Sequence, residues 1–140
     1  MGELGRFLVD HWVLSTAFLV IVILIIMNES RRKLLGFRDV TPADAVNLIN
    51  RENAQVVDVR DDKEFASGHI INSIHTPLVL MESQLDKLGD DKNRPVIVCC
   101  QSGQRSAKAA SVLSKHGFSR VYKLGGGMMS WQSANLPIVR

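Results

Sequence analysis

The chain of 140 residues contains little cysteine and little proline, two and four residues respectively. Because Cys99 and Cys100 are adjacent, they exclude the disulfide framework that holds small secreted domains together. The sequence has no Cys-x-x-Cys pair, and its domain histidines, His69, His75 and His116, are too scattered to complete a zinc site. We therefore expect a domain that folds on its hydrophobic core, without a bound metal.

Basic residues outnumber acidic residues by 17 to 14, but they form no basic stripe with interleaved aromatic side chains. From Arg31 onward the net charge is +5, because 16 of the basic and 11 of the acidic residues lie there. Part of this excess is a basic cluster formed by Arg31, Arg32, Lys33 and Arg38. The distribution favours contact with a membrane surface and predicts no nucleic-acid partner.

Residues 11–28 lack acidic and basic side chains over 18 positions when His11 is neutral. A helix with a rise of about 1.5 Å per residue spans about 27 Å here, close to the roughly 30 Å of a hydrocarbon core. We predict a transmembrane helix over 11–28 in contact with the lipid bilayer, after a short extracytoplasmic stub, 1–10. The alternatives are a buried soluble helix and a cleaved signal peptide. Mixed charges before the segment, and no Ala-x-Ala site after it, disfavour cleavage.

The charges on either side of this segment predict its orientation. The basic cluster follows the segment, whereas only Arg6 and the amino terminus are positive before it. Since flanking basic residues stay on the cytoplasmic side of a membrane, the C-terminal part should face the cytoplasm. We expect a basic linker over 29–39 and a single domain over 40–140, which is long enough to bury its own core.

Within this domain, short apolar runs alternate with helical patterns. Strands are predicted at 55–59, 95–99 and 120–124. Helices are predicted after the N-cap Thr41, at 82–88, at 106–116 and around Trp131. Strands separated by helices indicate an α/β fold with a central, mainly parallel sheet flanked by helices.

The segment from Cys100 to Arg105 lies between the predicted strand 95–99 and the predicted helix 106–116. Folds of this class place their functional sites at the carboxyl ends of central strands. Backbone N–H groups, the positive end of the helix dipole and Arg105 would all favour the thiolate form of Cys100. Gly103 allows the close curvature that such a loop needs. We predict that Cys100 is a nucleophile.

Cys99 offers an alternative nucleophile, because five residues separate it from Arg105, the spacing of cysteine phosphatases and arsenate reductases. With Cys100 as the nucleophile, Gly103 falls three residues on; with Cys99 that position is Ser102, and no histidine precedes it. This favours Cys100. Strand alternation turns Cys99 away from the side of Val98, so we expect a small core residue, with a resolving thiol as the other option.

Motifs over 40–137 match those of a known family in order. They are Val56 to Arg60, Glu64-Phe65, Gly68-His69-Ile70, Ser73, Pro77, Cys100-x-x-Gly103-x-Arg105-Ser106, Gly125-Gly126, Trp131 and Leu136-Pro137. On these residues the chain resembles the single-domain rhodanese-like sulfurtransferases, in a bacterial membrane-anchored form. The resemblance implies a rhodanese-like fold and a single-pass protein of the inner (cytoplasmic) membrane.

The resemblance further implies that Cys100 carries sulfane sulfur as a persulfide. The sulfur would come from a small donor, such as thiosulfate or a persulfide, and pass to cyanide or to a thiol, including a protein thiol, without a cofactor. The loop would hold the donor through Gln101, Ser102, Gly103, Gln104, Arg105 and Ser106. Arg105 would either neutralise an anionic donor or brace the loop through a salt bridge. Ser102 and Gln104 would either orient the substrate or only be solvated.

Four polar residues, Asp58, Arg60, Glu64 and His69, are expected to form a network between the first predicted strand and the following turn. Asp58 and Arg60 are also candidates for a supporting position near the loop, as the resemblance implies for Asp58. The glycines 125–127 lack the spacing of a dinucleotide or phosphate loop and predict a turn.

Two other classes of function stay open. Membrane-tethered rhodanese folds can serve as protein-interaction or scaffolding modules, although the intact loop argues against a purely inactive domain. A phosphatase or arsenate reductase is the third class.

Overall fold

The computed structural model describes residues 2–140, except for the side chain of Arg32. The chain divides into two units, Met1–Leu34 and Leu35–Arg140. The first is helical, and the second is an α/β domain that contains the loop after Cys99.

The helical unit consists of α1 (Glu3–Asp10) and α2 (Trp12–Leu35), which are separated at His11. The predicted stub is thus a helix, and its apolar residues Leu4, Phe7 and Leu8 have the spacing of one helical face. In the described part of the chain, α2 is the one helix long and apolar enough to cross a membrane, with 24 residues and a mean hydropathy of 2.2 over an 18-residue window. It extends beyond the predicted end at residue 28, because the arginines and lysine that follow are good helix formers.

The predicted linker over 29–39 needs correction, since most of it is regular structure. α2 continues to Leu35, Gly36 follows with φ 72°, and β1 (Phe37–Val40) begins immediately. β1 pairs in parallel with the strand Val121–Leu124. The sequence did not predict β1 as a strand, because its exposed Arg38 and Asp39 interrupt the apolar pattern. An edge strand can keep such charged side chains in solvent. The α/β domain therefore begins near Leu35.

The domain contains a five-stranded, fully parallel sheet, which confirms the predicted α/β fold. After β1 come β2 (Gln55–Asp58), β3 (Ile74–His75), β4 (Val96–Cys99) and β5 (Val121–Leu124), in the spatial order β1-β5-β4-β2-β3. The three predicted strands are β2, β4 and β5, whereas β1 and the two-residue β3 were not predicted. β4 lies at the centre of the sheet and is buried along its whole length.

Helices cover the sheet and connect its strands. They are α3 (Pro42–Glu52), α4 (Asp62–Ala66), α5 (Gln104–Lys115) and α6 (Gly127–Ser133), with 3₁₀ segments at Leu78–Leu80 and Glu82–Leu88. The predicted N-cap of α3 is present, because Thr41 Oγ1 accepts a hydrogen bond from Asp44 N at 3.2 Å. The predicted helix at 82–88 is a 3₁₀ segment with a kink at Gln84.

Two hydrophobic clusters occupy the two faces of the sheet. One contains Cys100 with Val57, Val98, Leu113 and Phe118. The other contains Cys99 with Val56, Ile97, Leu124, Met128 and Trp131. The adjacent cysteines therefore belong to opposite faces, as strand alternation predicts.

Candidate active site

The candidate site is the loop between β4 and α5. It begins at Cys100, directly after the central strand, and ends at Gly103, the N-cap of α5. Gly103 has φ 104° and ψ −7°, a left-handed conformation that strains other residues. This turn directs the start of α5 back toward the Cys100 side chain.

Three hydrogen bonds converge on the Cys100 sulfur. Gly103 N donates to Sγ at 3.0 Å and Ser106 N donates at 3.4 Å, while the Ser106 Oγ lies 3.5 Å away. The Ser106 hydroxyl also donates to the Gly103 carbonyl oxygen at 2.9 Å. A thiol can donate to this hydroxyl, and a thiolate can accept from it once the hydroxyl proton turns toward the sulfur. Both protonation states of the sulfur are therefore accommodated.

The two cysteines differ in acidity. Burial raises the pKa of Cys100, but hydrogen bonds from the Ser106 hydroxyl and from the N–H groups of Ser106, Gly103 and Ser102 outweigh burial and lower it below its ordinary value. Burial raises the pKa of Cys99 well above its ordinary value, and the negative charge of Asp58 adds to this effect. Only Cys100 thus has the environment of a nucleophilic thiolate.

The N-terminus of α6 supports the loop from outside. Met128 N donates to the Cys100 carbonyl oxygen at 2.8 Å, and Met129 N donates to the Gln101 carbonyl oxygen at 3.2 Å. A Cβ atom at Gly127 would collide with the Cys100 carbonyl oxygen and would lie 2.8 Å from the Gln101 carbonyl carbon. The glycine run predicted as a turn is therefore also a contact surface for the loop. Its third glycine was the available signal, and sequence reasoning did not use it.

Arg105 pairs with Glu64 on α4. Its Nη1 and Nη2 donate to the two carboxylate oxygens of Glu64 at 2.7 and 2.8 Å, a bidentate pair. Hydrogen bonding by Arg105 lowers the pKa of Glu64 to about 2, and the same bond raises the pKa of Arg105. Glu64 also completes a capping box at the start of α4, where its Oε2 accepts from Asp61 N at 3.2 Å. Of the two roles predicted for Arg105, the structure displays the salt bridge.

A second ion pair, between Asp58 and Arg60, is buried behind the loop. Arg60 Nη2 donates to Asp58 Oδ2 at 2.6 Å and to the Gly68 carbonyl oxygen at 2.8 Å. Arg60 Nη1 lies 3.5 Å from Gln101 Oε1, so the pair reaches the loop through one side chain. Burial opposes the charge of Arg60, but the hydrogen bond to Asp58 and its negative charge raise the Arg60 pKa overall.

The predicted polar network is therefore divided. Asp58 and Arg60 bind each other, Glu64 binds Arg105, and His69 stacks on Phe65 with ring centroids 3.8 Å apart. His75 stacks on the other side of Phe65, at 4.3 Å. Among the residues described, no group of three or more His, Cys, Asp or Glu side chains could hold a metal ion.

The remaining loop side chains differ in their surroundings. Gln101 and Arg105 are half-buried, Ser106 is buried, and Ser102 and Gln104 point into solvent. The structure thus gathers the backbone from Cys100 to Ser106 around one sulfur atom. It leaves the side chains of Ser102 and Gln104 open to a bound molecule.

Comparison with known proteins agrees with this geometry. The sequence pattern of the family described as "Rhodanese-like domain" matches residues 41–134, and the chain belongs to this family. The thiosulfate sulfurtransferase GlpE of Actinobacillus pleuropneumoniae is 35% identical over 102 residues, which cover 73% of this chain and 93% of GlpE. The rhodanese-related protein of Thermoplasma volcanium has a similar structure, with a TM-score of 0.65 at 30% identity over 73% of this chain and 97% of that one.

A further relative extends the similarity to the N-terminal helices. The uncharacterized protein YibN of Escherichia coli is 33% identical over 141 aligned positions, which cover 100% of this chain and 99% of YibN. The alignment with YibN therefore includes the apolar N-terminal segment as well as the rhodanese-like domain.

Proposed function

We propose that the chain is a rhodanese-type sulfurtransferase that carries sulfane sulfur as a persulfide on Cys100. The supporting observation is the environment of the Cys100 sulfur, which accepts hydrogen bonds from the N–H of Gly103, the N-cap of α5, at 3.0 Å and from the N–H of Ser106 at 3.4 Å. The sulfurtransferase names of relatives such as GlpE agree with this chemistry. The donor is a sulfane-sulfur compound such as thiosulfate or a persulfide, and the acceptor is a thiol or cyanide.

The reaction has two displacement steps. The Cys100 thiolate attacks the outer sulfur of the donor, a new S–S bond forms, and the bond between that sulfur and the rest of the donor breaks with its electron pair. An acceptor thiolate then attacks the outer sulfur of the Cys100 persulfide, and Cys100 leaves as a thiolate. The N–H groups of Gln104 and Arg105 belong to the first turn of α5, which lacks intrahelical acceptors, and they can bind the outer sulfur.

We also propose that α2 anchors the domain to the inner membrane, with the domain in the cytoplasm. The length and hydropathy of α2 support the span. The basic residues near its C-terminal end, including Arg31 and Lys33, support the orientation. The full-length protein should stay in the membrane fraction after carbonate washing, and protease added to intact cells should leave the domain uncut. Release by carbonate argues against the anchor, and digestion from outside argues against the orientation.

Two competing functions predict different behaviour. A phosphatase with Cys99 as its nucleophile would need a stabilised Cys99 thiolate, whereas burial and the charge of Asp58 raise the pKa of this thiol, and it lies on the opposite face of the sheet from Cys100. A scaffolding module would not need a reactive Cys100.

The intact mass of the full-length protein after exposure to thiosulfate or a persulfide separates these functions. We expect a gain of one sulfur atom, which peptide mapping places on Cys100. No gain with any donor would contradict the enzyme assignment.

A further inference from the structure

Two arginines approach the Cys100 loop, and each is paired with a carboxylate of the same domain. Arg60 contacts Asp58 in a buried pair, and Arg105 contacts both oxygens of Glu64. The four charges cancel. The positive charge that sequence reasoning assigned to donor binding is therefore compensated within the structure.

Two further negative charges lie close enough to Arg105 to act on it. Asp61 lies in the same capping box as Glu64, and its charge, like that of a Cys100 thiolate, contributes to the raised pKa of Arg105. The side chains that stand in solvent at the loop, Ser102 and Gln104, are uncharged. Apart from the backbone N–H groups of the loop, an incoming donor thus meets an anionic sulfur, a closed ion pair and a further carboxylate.

Donors differ in how much positive charge they need. Thiosulfate carries two negative charges and releases sulfite, which also carries two. An organic persulfide with an uncharged organic part carries at most one charge and releases a thiolate. Bringing a dianion next to a thiolate is unfavourable unless a nearby cation offsets the repulsion. The closed pair between Arg105 and Glu64 removes much of that compensation.

We propose that Glu64 is a specificity-determining residue that neutralises Arg105 and so selects singly charged organic persulfides over thiosulfate as sulfur donors. This inference rests on the proposed function, because it concerns the donor of the same Cys100 reaction. In the selected reaction, the Cys100 thiolate forms an S–S bond with the outer sulfur of R–S–SH. The S–S bond of the donor breaks, its electron pair stays on the inner sulfur, which leaves as the thiolate RS⁻, and the proton stays on the transferred sulfur or passes to water.

Glu64→Gln in the full-length protein tests this inference. The amide oxygen can replace Oε2, which accepts from Asp61 N and Arg105 Nη1, whereas the amide NH₂ replaces Oε1 and removes the bond from Arg105 Nη2. The negative charge is lost, which leaves the cation available to a donor. The readout is the second-order rate of sulfur addition to Cys100, measured by mass with thiosulfate and with benzyl persulfide. We expect the rate ratio of thiosulfate to benzyl persulfide to rise about tenfold in the variant at low ionic strength, and to rise less at high salt.

A matched control separates this effect from a change in net charge. Glu52 forms a surface ion pair with Arg120, and the two side chains are exposed to a similar degree as Arg105 and Glu64. Glu52 ends α3 and Arg120 precedes β5, so this pair lies near the amino ends of the strands, away from the loop. Glu52→Gln should therefore leave the donor ratio unchanged.

The double variant Glu64→Gln, Arg105→Gln provides a second test that removes both charges together. If Glu64 already neutralises the charge of Arg105, the rate ratio of thiosulfate to benzyl persulfide in this variant should equal that of the wild type within about twofold. A fall in thiosulfate loading in the double variant would show that Arg105 binds thiosulfate in the native protein and would overturn the inference.

The remaining outcomes also decide the question. An unchanged donor ratio in folded Glu64→Gln, or wild-type loading that is as fast with thiosulfate as with benzyl persulfide, overturns the role of Glu64 while the sulfurtransferase assignment stands. Failure of the wild type to accept sulfur from either donor overturns both. Thermal unfolding of each variant, followed by circular dichroism, verifies that the compared proteins are folded.

Discussion

Cys99 and Cys100 are neighbours in the chain, yet their sulfur atoms occupy opposite environments. Cys99 is the last residue of β4 and faces an apolar cluster with Leu124 and Trp131, where burial and Asp58 disfavour a negative charge. Cys100 is the first residue beyond the strand, where the chain turns and presents N–H groups to its sulfur. A displacement of one residue along a central strand therefore separates a core thiol from a reactive one.

The difference arises from backbone geometry more than from charged side chains. The groups that lower the pKa of Cys100 are the Ser106 hydroxyl and three backbone N–H groups, and no lysine or arginine contacts the sulfur in the described part of the chain. Gly103 and Gly127 are the residues that permit this geometry, one within the loop and one against it. Substitution of Ser106 or of either glycine should therefore reduce the difference in reactivity between Cys100 and Cys99.

The largest effect is expected from removing each thiol in turn. Cys100→Ser should abolish sulfur transfer, with a loss of at least about 1000-fold, because the hydroxyl is a far weaker nucleophile and cannot form the persulfide. Cys99→Ala should retain most of the activity and lose about 1 kcal/mol of stability from the small cavity. Steady-state sulfur transfer and thermal unfolding measure the two effects. Transfer that survives in Cys100→Ser but is lost in Cys99→Ala would reverse the assignment.

A smaller but still strong loss is expected from Gly127→Ala. The added methyl group would collide with the Cys100 carbonyl oxygen, and Gly127 has φ 58°, so the loop must move. We expect at least a tenfold loss of transfer activity and a destabilisation of about 1–3 kcal/mol. Gly117→Ala is the matched control, because Gly117 also has a positive φ, 92°, but its Cβ would meet only the Lys92 side chain, at 3.5 Å. Equal activity losses in the two variants would mean that backbone strain alone is responsible.

Ser106→Ala should shift the pH dependence of the reaction. Without the hydroxyl that favours the thiolate, the pKa of Cys100 rises toward its ordinary value, so the rate at pH 7 should fall by about fivefold and recover at high pH. Ser111→Ala, which removes another hydroxyl of α5, is the control. The pH profile of sulfur loading is the measurement. A loss that is independent of pH would indicate a positioning role for Ser106 instead.

The smallest of these effects is expected on acid stability, where Glu64→Gln is again the informative variant. The pKa of Glu64 is lowered from 4.5 to about 2 in the folded protein, so its ion pair stabilises the fold fully above about pH 4.5. This contribution is lost as the pH falls from 4.5 toward 2, because the carboxylate becomes protonated. The difference in melting temperature between wild type and variant should therefore be present at pH 6 and shrink below pH 4. A difference that stays constant down to pH 3 would contradict this.

The sequence allowed prediction of the parts of this site that depend on local pattern. The apolar run that ends at Cys99 predicts a strand, and the helical pattern from Ser106 onward predicts a helix. Gly103 between them predicts a tight loop. The structure contains all three. The choice of Cys100 over Cys99 followed from the position of Gly103. These signals lie within a few residues, where chain geometry restricts the outcome.

Other parts depend on contacts between distant segments, which a single sequence does not display. The partner of Arg105 is Glu64, 41 residues earlier, and α6 contacts the loop through Gly127. β1 was missed because its four residues include Arg38 and Asp39, and its pairing with β5 alone defines it as a strand. A folded fragment should therefore begin by Leu35, since the boundary predicted at residue 40 would remove most of β1.

The most direct test of the account compares the two thiols in one molecule. Full-length protein is treated with iodoacetamide over a range of pH, and peptide mapping gives the alkylation rate of each cysteine. We expect Cys100 to react with an apparent pKa below that of an ordinary thiol, and Cys99 to stay unmodified until the protein unfolds. Equal reactivity, or faster alkylation of Cys99 in the folded protein, would contradict the account.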